Sequence, residues 1–147
     1  YSKGDNLIQQ VDMKNQNTGC FINKGIEISA HSHPLDNLWL TATYSYLHTS
    51  LDNLTGAPKN QYFLGVEWKP WRFINIGADL KGVGGLYVAE GIRHQDYALL
   101  NLKVTWDICR YVSVFTRLEN ITDARYTINR GYEMPGFTAM GGFKVRF

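Results

Sequence analysis

Strict alternation of apolar and polar residues is the feature of this sequence that most limits its fold. Between positions 97 and 108 the apolar side is formed by Ala98, Leu100, Leu102, Val104, Trp106 and Ile108. Polar residues dominate the positions between them. Successive side chains of a β-strand point to opposite faces of the sheet, so this segment predicts a strand with one apolar and one polar face. The period of an amphipathic helix occurs nowhere in the chain.

The same alternation divides the chain into eight predicted strands that follow one another as hairpins. Glycine, proline, asparagine and aspartate lie between them, as expected at turns. The predicted strands are 7–14, 20–32, 38–49, 61–68, 73–82, 97–108, 112–118 and 137–147. The glycines at 82–85 are expected to weaken or kink the fifth strand. The predicted fold is therefore all-β and antiparallel, with an up-and-down strand order.

The predicted connections are short at one end of the sheet and long at the other. Short turns follow the second, fourth and sixth strands, near Pro34, Pro70 and Arg110. Longer segments follow the first, third, fifth and seventh strands, and the longest covers 120–135. Alternate connections of an antiparallel sheet lie at opposite ends, which is typical of a transmembrane β-barrel with short periplasmic turns and long external loops.

Aromatic residues are concentrated near both predicted ends of the strands. The group beside the short turns is Trp68, Trp71, Phe73, Trp106, Tyr111 and Phe147. The group toward the long loops is Tyr44, Tyr46, Tyr62, Tyr87 and Tyr97. Two aromatic belts fit the two interfaces of a bilayer. We therefore expect one face of the strands, with Leu100, Leu102, Val104, Phe143 and Val145, to contact lipid. The other face, with Asn101, Lys103, Lys144 and Arg146, is expected to line the lumen.

Composition and charge exclude several other classes of protein. The formal net charge of +2 over 147 residues provides no basic surface for nucleic acid. No apolar run approaches the roughly 18 residues of a transmembrane helix. Cys20 and Cys109 are too few for a disulfide scaffold. They are predicted at opposite ends of the strands, so both are expected to be free thiols.

Chemistry-bearing motifs are sparse. The sequence contains no nucleophile–base pattern, no phosphate-binding glycine loop and no Cys-x-x-Cys, so neither an enzyme nor a cofactor is predicted. His31 and His33 have a spacing that metals use, but the nearest carboxylate is that of Asp36 in the adjoining turn. A solvated turn is therefore preferred to a metal site.

Two motifs near the end of the chain carry a family resemblance. Residues 119–126 read E-N-I-T-D-A-R-Y and resemble the N-L-F-D-x-x-Y motif of TonB-dependent outer-membrane receptors. Residues 131–137 read G-Y-E-M-P-G-F and resemble the G-Y-x-x-P-G-R that introduces the last strand of these receptors. Phe137 replaces the usual arginine, and Ile121 and Thr122 replace Leu-Phe. Residues 24–27 and 55–60 are similar to two further family motifs, and the strand that closes on Phe147 resembles the last strand of outer-membrane barrels.

The resemblance implies a barrel of 22 strands plugged by an amino-terminal domain, of which this chain would be the last third. No segment resembles the plug or the energy-coupling box, so we expect the rest of the receptor to supply both, together with the remaining strands. The implied function is uptake of a scarce nutrient, such as a siderophore, haem or a cobalamin-like chelate, across the outer membrane of a Gram-negative bacterium. The implied partners are outer-membrane lipid, the TonB energy-coupling complex and the barrel-assembly machinery.

The resemblance also places candidate ligand-binding residues in the external loops. These basic and aromatic residues are Arg93, His94, Arg125, Tyr126, Arg130 and Tyr132. They suit an anionic chelate, and loop architecture is the alternative interpretation. Within the motif, Asn120 and Asp123 are expected to form local side-chain-to-backbone bonds, and Tyr126 is expected to anchor the loop by packing its ring. The implied insertion signal is Phe143, Val145 and Phe147.

Two other interpretations are compatible with the alternation. One is a self-contained eight-stranded outer-membrane barrel with a structural or adhesive role. The other is a soluble barrel that binds a ligand inside. The direction in which the leucines face separates the membrane and soluble interpretations, because a soluble barrel points its apolar side chains inward.

Overall fold

In a computed structural model, the described part of the chain consists of antiparallel β-strands and their connections. It comprises residues 2–4, 8–11, 14–17, 21–50, 54–89 and 94–147, with side chains described from Ile22 onward. In chain order the strands are β1 (Ser2–Gly4), β2 (Ile8–Val11), β3 (Lys14–Asn17), β4 (Phe21–Leu35), β5 (Leu38–Thr49), β6 (Asn60–Trp71), β7 (Ile74–Leu86), β8 (Gln95–Asp107), β9 (Val112–Glu119), β10 (Thr127–Asn129), β11 (Tyr132–Glu133) and β12 (Thr138–Val145). Among these residues no helix is long and apolar enough to cross a bilayer.

Eight of the strands form one sheet in the order β1-β4-β5-β6-β7-β8-β9-β12. Every neighbouring pair in it is antiparallel. The up-and-down order predicted from the sequence is thus confirmed. Within the described residues β1 and β12 are the two edges and do not pair with each other, so the sheet is open. Among the described strands, therefore, no pairing closes the sheet into the eight-stranded barrel of the alternative interpretation.

The register of the strands defines two faces, because residues directly opposite each other across a ladder share a face. One row consists of Leu40, Val66, Ala78, Leu102, Leu118 and Ala139. The adjacent row, one residue along each strand, consists of Trp39, Glu67, Gly77, Lys103, Arg117 and Met140. We call the first surface the outward face and the second the luminal face.

The outward face leaves large apolar side chains uncovered. Its exposed members include Ile26, Ile28, Tyr44, Leu64, Trp68, Trp106 and Phe143. Leu86 and Val88 are the buried apolar residues of the described part. The luminal face instead lines a concavity that contains Glu67, Asp79 and Lys103. The apolar residues therefore lie on the outside of the wall, as in a membrane barrel and opposite to a soluble one.

The predicted facing of the strands is confirmed at the positions that the register assigns. Leu100, Leu102 and Val104 lie on the outward face, as do Phe143 and Val145. Asn101, Lys103 and Lys144 lie on the luminal face. Arg146 follows the end of β12, and its backbone N–H donates to the Tyr111 carbonyl. The register does not assign its side chain to either face.

The predicted first strand, 7–14, is confirmed as a strand at Ile8–Val11, but its expected place in the large sheet is wrong. Ile8–Val11 pairs with Lys14–Asn17 in a separate two-stranded sheet. The strand that joins the large sheet is Ser2–Gly4, opposite Phe21 to Asn23. Alternation indicates that a segment is extended but does not say which segment it pairs with, and that is why the sequence misplaced this strand.

Several strands extend beyond their predicted ends. β4 and β6 include Pro34 and Pro70, which the sequence placed in turns. The register shifts between Ser32 and Leu35 and between Trp68 and Trp71. Each proline thus lies at an irregularity of the strand, where the ladder does not require the backbone N–H that proline lacks. β7 passes through the glycine cluster, and the expected kink is confirmed at Gly85, where φ is 68° and the register shifts between Val83 and Leu86.

Candidate functional site: the external loops

The two ends of the sheet differ as the sequence predicted. At one end the connections are 36–37, 72–73 and 108–111. At the other they are 50–59, 87–94 and 120–137, and we call the last of these the β9–β12 loop. This loop contains the β10–β11 hairpin, which the sequence did not predict. Cys109 is a free, exposed thiol in a short turn, whereas Cys20 lies outside the described residues.

Asn120 organises the base of the β9–β12 loop. Its side chain is buried, and its backbone is left-handed with φ of 50°, a conformation that asparagine tolerates better than most residues. The Nδ2 group donates to the carbonyls of Ala124 at 2.9 Å and Pro135 at 3.2 Å. The Oδ1 atom accepts from the Ala124 N–H at 2.9 Å. One amide therefore joins the two sides of the loop, and the local bonds predicted for Asn120 are confirmed.

Asp123 closes the same base from the other side. Its carboxylate accepts from the Phe137 N–H at 2.8 Å, and its own N–H donates to the Asn120 carbonyl at 2.9 Å. A side chain at Gly136 would overlap the Asp123 carboxylate, so glycine is needed there for the close approach. The two motifs that carried the family resemblance thus meet at one point, where Phe137 leads into β12.

The barrel wall holds this base through a luminal side chain. The Asn120 N–H donates to Asn101 Oδ1 at 2.9 Å, and Asn101 Nδ2 donates to Asp79 Oδ2 at 2.7 Å. The Ile121 N–H also donates to the Leu100 carbonyl at 2.8 Å. Sequence reasoning placed Asn101 only on the luminal face and missed this bond. No local motif marks it, because its partners are 19 and 22 residues away.

Tyr126 anchors the loop, as predicted, by packing its ring. It stacks on Tyr97 with the ring centroids 4.2 Å apart, and its carbonyl accepts from the Met134 N–H at 3.0 Å. Burial, together with the negative charge of Glu119, raises the pKa of the Tyr126 hydroxyl above its ordinary value. Tyr97 shares the luminal face with Val83. Its assignment to the outward aromatic belt was therefore wrong, since its parity on β8 is that of Asn101.

The structure gathers most of the candidate ligand residues into one loop. Arg125, Tyr126, Arg130 and Tyr132 all belong to the β9–β12 loop, with Arg130 beside Gly131 in the β10–β11 turn. Arg125, Arg130 and Tyr132 are exposed. His94 lies in the 87–94 connection at the same end, where its ring is 5.5 Å from that of Tyr87. Arg93 lies outside the described residues.

The luminal face below these loops carries a concavity of about 370 Å³. Its lining includes Trp39, Thr41, Phe63, Glu67, Asn75, Asp79, Lys103 and Thr105. Asn75 Nδ2 donates to Glu67 Oε1 at 3.0 Å. Among the described side chains no three histidine, cysteine or carboxylate groups cluster as metal ligands would. The concavity therefore has a mixed lining in which charged, amide and aromatic side chains lie beside small apolar residues.

Comparison with known proteins identifies the family. Residues 1–121 match the model of the TonB dependent receptor-like β-barrel. The chain belongs to this family. The resemblance seen in the sequence is thereby confirmed, although the match ends within the 119–126 motif. Receptors of this family are outer-membrane proteins of Gram-negative bacteria. A search of curated proteins found no match.

Solved structures of TonB-dependent receptors share the fold of this barrel wall. The ferric-catecholate import receptor Fiu from E. coli, in its closed form, aligns with a TM-score of 0.74 and 16% identity over 99% of this chain. The ferric enterobactin receptor PfeA aligns with a TM-score of 0.71 and 18% identity over 88% of this chain. The alignments cover 24% and 23% of those receptors. The chain thus spans about a quarter of their length.

Proposed function

We propose that this chain is the closing section of the barrel of an outer-membrane receptor that takes up a scarce nutrient. The observation that carries the proposal is the wall itself, which is apolar outside and polar inside in the fold of TonB-dependent receptors. The structural neighbours handle ferric catecholates and ferric enterobactin. By analogy with these ligands, a siderophore is the preferred nutrient for this chain, and haem or a cobalamin-like chelate are the alternatives. The role is binding and passage without catalysis.

The ligand site that we propose lies in the external loops. The exposed Arg125 and Arg130 guanidinium groups suit the charged oxygens of an anionic chelate, because arginine donates several hydrogen bonds in a fixed geometry. Tyr126 and the largely exposed Tyr132 add aromatic surface. Arg93 and His94 extend the proposal to the neighbouring connection. In this arrangement the bonds of Asn120 and Asp123 hold the loop, and the exposed residues contact the ligand.

The proposed partners follow from the surfaces of the sheet. The edges β1 and β12 would pair with the remaining strands of the barrel, and the outward face would contact outer-membrane lipid. A plug domain would fill the lumen and connect the receptor to the TonB energy-coupling complex. Phe143 and Val145 project from the outward face of β12. With Phe147 they form the signal that we propose the barrel-assembly machinery recognises.

Ligand binding by the complete receptor tests the site. We expect the double substitution Arg125→Ala and Arg130→Ala to weaken binding of ferric enterobactin by about tenfold or more, since each charged hydrogen bond contributes about 1.5–3 kcal/mol. The matched control is Arg110→Ala, an exposed arginine in a short turn at the opposite end. Titration of purified receptor with the iron complex gives both affinities. Equal affinities for the double variant and the wild type would exclude these arginines from the site.

A further inference from the structure

We infer that Asn101 positions the β9–β12 loop and that Asp79 sets the orientation of Asn101. The positioning of the loop does not depend on the proposed function; only the identity of the ligand that the loop binds rests on it. The bonds from Asp79 to Asn101 and from Asn101 to the Asn120 N–H, at 2.7 and 2.9 Å, form a continuous link from the luminal wall to the loop base. Asn120 is 4% exposed, so water does not readily replace a lost partner at that point.

The amide of Asn101 suits this position because it has one donor end and one acceptor end. An ionised carboxylate only accepts hydrogen bonds, so Asp79 requires the NH₂ end of the amide to face it. The oxygen of Asn101 is then left to face the Asn120 N–H. Loss of the Asp79 acceptor removes the preference for this orientation. Loss of Asn101 leaves a buried N–H without its partner.

A displacement of Asn120 would change the position of the whole β9–β12 loop. The same residue bonds the carbonyls of Ala124 and Pro135, which lie at the two ends of the segment containing Arg125 and Arg130. At the other end of the link, Asp79 lines the luminal concavity. A group in the lumen that accepts a hydrogen bond from Asn101, or donates one to Asp79, would therefore compete with the hydrogen bond between these two residues. Asn101 is thus a positioning residue that acts through Asn120.

Trypsin digestion of the full-length receptor in purified outer membranes tests the inference, because trypsin cleaves after Arg125 and Arg130. We expect Asn101→Ala to raise the rate of cleavage at these arginines by about tenfold or more, as the loop base opens more often. The matched control is Asn75→Ala. It removes the same kind of amide from the luminal face. The Asn75 amide also donates to a carboxylate, that of Glu67, but it makes no hydrogen bond to the β9–β12 loop. The control is expected to leave the rate unchanged.

Two substitutions at Asp79 separate positioning from general destabilisation. Asp79→Asn keeps an acceptor oxygen for Asn101 but also presents a donor, so it should raise cleavage less than Asp79→Ala, which loses the acceptor and should raise cleavage severalfold. This pair carries the test even if Asn101→Ala does not fold. Cleavage of Asn101→Ala no faster than that of Asn75→Ala, or equal rates for the two Asp79 variants, would overturn the inference.

Measuring the affinity of the same variants for ferric enterobactin separates a failure of this inference from a failure of the proposed function. Faster cleavage with unchanged affinity would retain Asn101 as the positioning residue and remove the loop from the ligand site. Unchanged cleavage with weakened binding would overturn the positioning role and leave the proposed function standing.

Discussion

The outward and luminal faces of the same strands are specified in different ways. On β8, Leu100, Leu102 and Val104 face outward and need only to be apolar, because lipid has no hydrogen-bonding partner to offer. Asn101, between them, makes two directed hydrogen bonds to groups in other strands and loops. The outward face therefore tolerates exchange among apolar residues, whereas the luminal face depends on particular partners. Substitutions matched across the wall test this difference.

The largest expected effect is that of a charge on the outward face. Leu102→Arg should reduce the free energy of unfolding in a bilayer by about 2–4 kcal/mol, because the midplane of the bilayer does not solvate a guanidinium. The luminal counterpart on the same strand is Thr105→Arg, which points into the polar concavity and should change it by about 0.5 kcal/mol or less. Urea unfolding of the full receptor in lipid vesicles measures both. Similar losses for the two variants would contradict the assignment of the faces.

A smaller energetic effect is expected at Phe147, which follows the end of β12. Phe147→Ala should cost at most about 1.5–3 kcal/mol of stability, the contribution of one large apolar side chain. As part of the proposed insertion signal, however, its loss should sharply lower receptor levels in the outer membrane while refolding into detergent changes little. Phe137→Ala, an exposed phenylalanine before the other end of β12, is the control. An equal fall in membrane levels for both variants would remove the special role of Phe147.

Glycines on the two faces provide a finer comparison. The Tyr62 ring covers Gly82 across the outward face, and a methyl group there would overlap it. The ring can swing aside, so Gly82→Ala should cost about 1 kcal/mol, the low end for overpacking. Gly77 faces the lumen with nothing within 4 Å of an added methyl group, so Gly77→Ala should have no such penalty. The same unfolding measurement distinguishes them, and a greater loss for Gly77→Ala would show that ring coverage is irrelevant.

The smallest expected effect is the labelling of Cys109, which should leave stability unchanged. This exposed thiol lies at the short-turn end, so an impermeant maleimide should label it only after the outer membrane of intact cells is permeabilised. Mass measurement should find both Cys20 and Cys109 as free thiols. Labelling of Cys109 in intact cells would reverse the assignment of the two ends, and a Cys20–Cys109 bridge would contradict the strand directions.

The sequence predicted the outward face well because that face depends on local alternation. It predicted the order of β4 to β9 because successive strands pair as hairpins. It also predicted the bonds of Asn120 and Asp123, since their partners lie within the same loop. It could not predict that Ser2–Gly4 pairs with β4 or that Pro34 lies at a bulge, because alternation contains no information on pairing. The link from Asn101 to Asp79 was missed for the same reason: its bonds connect residues that only the folded register brings together.

The unequal lengths of the connections also determine the order in which the sheet can assemble. Closing a chain over a two-residue turn loses little entropy, whereas closing it over the β9–β12 loop loses more. The hairpins β4–β5, β6–β7 and β8–β9 should therefore form first and zip from the short-turn end. The contacts between these hairpins form later. The barrel wall is thus expected to grow by preformed pairs of strands, with the long connections completed last.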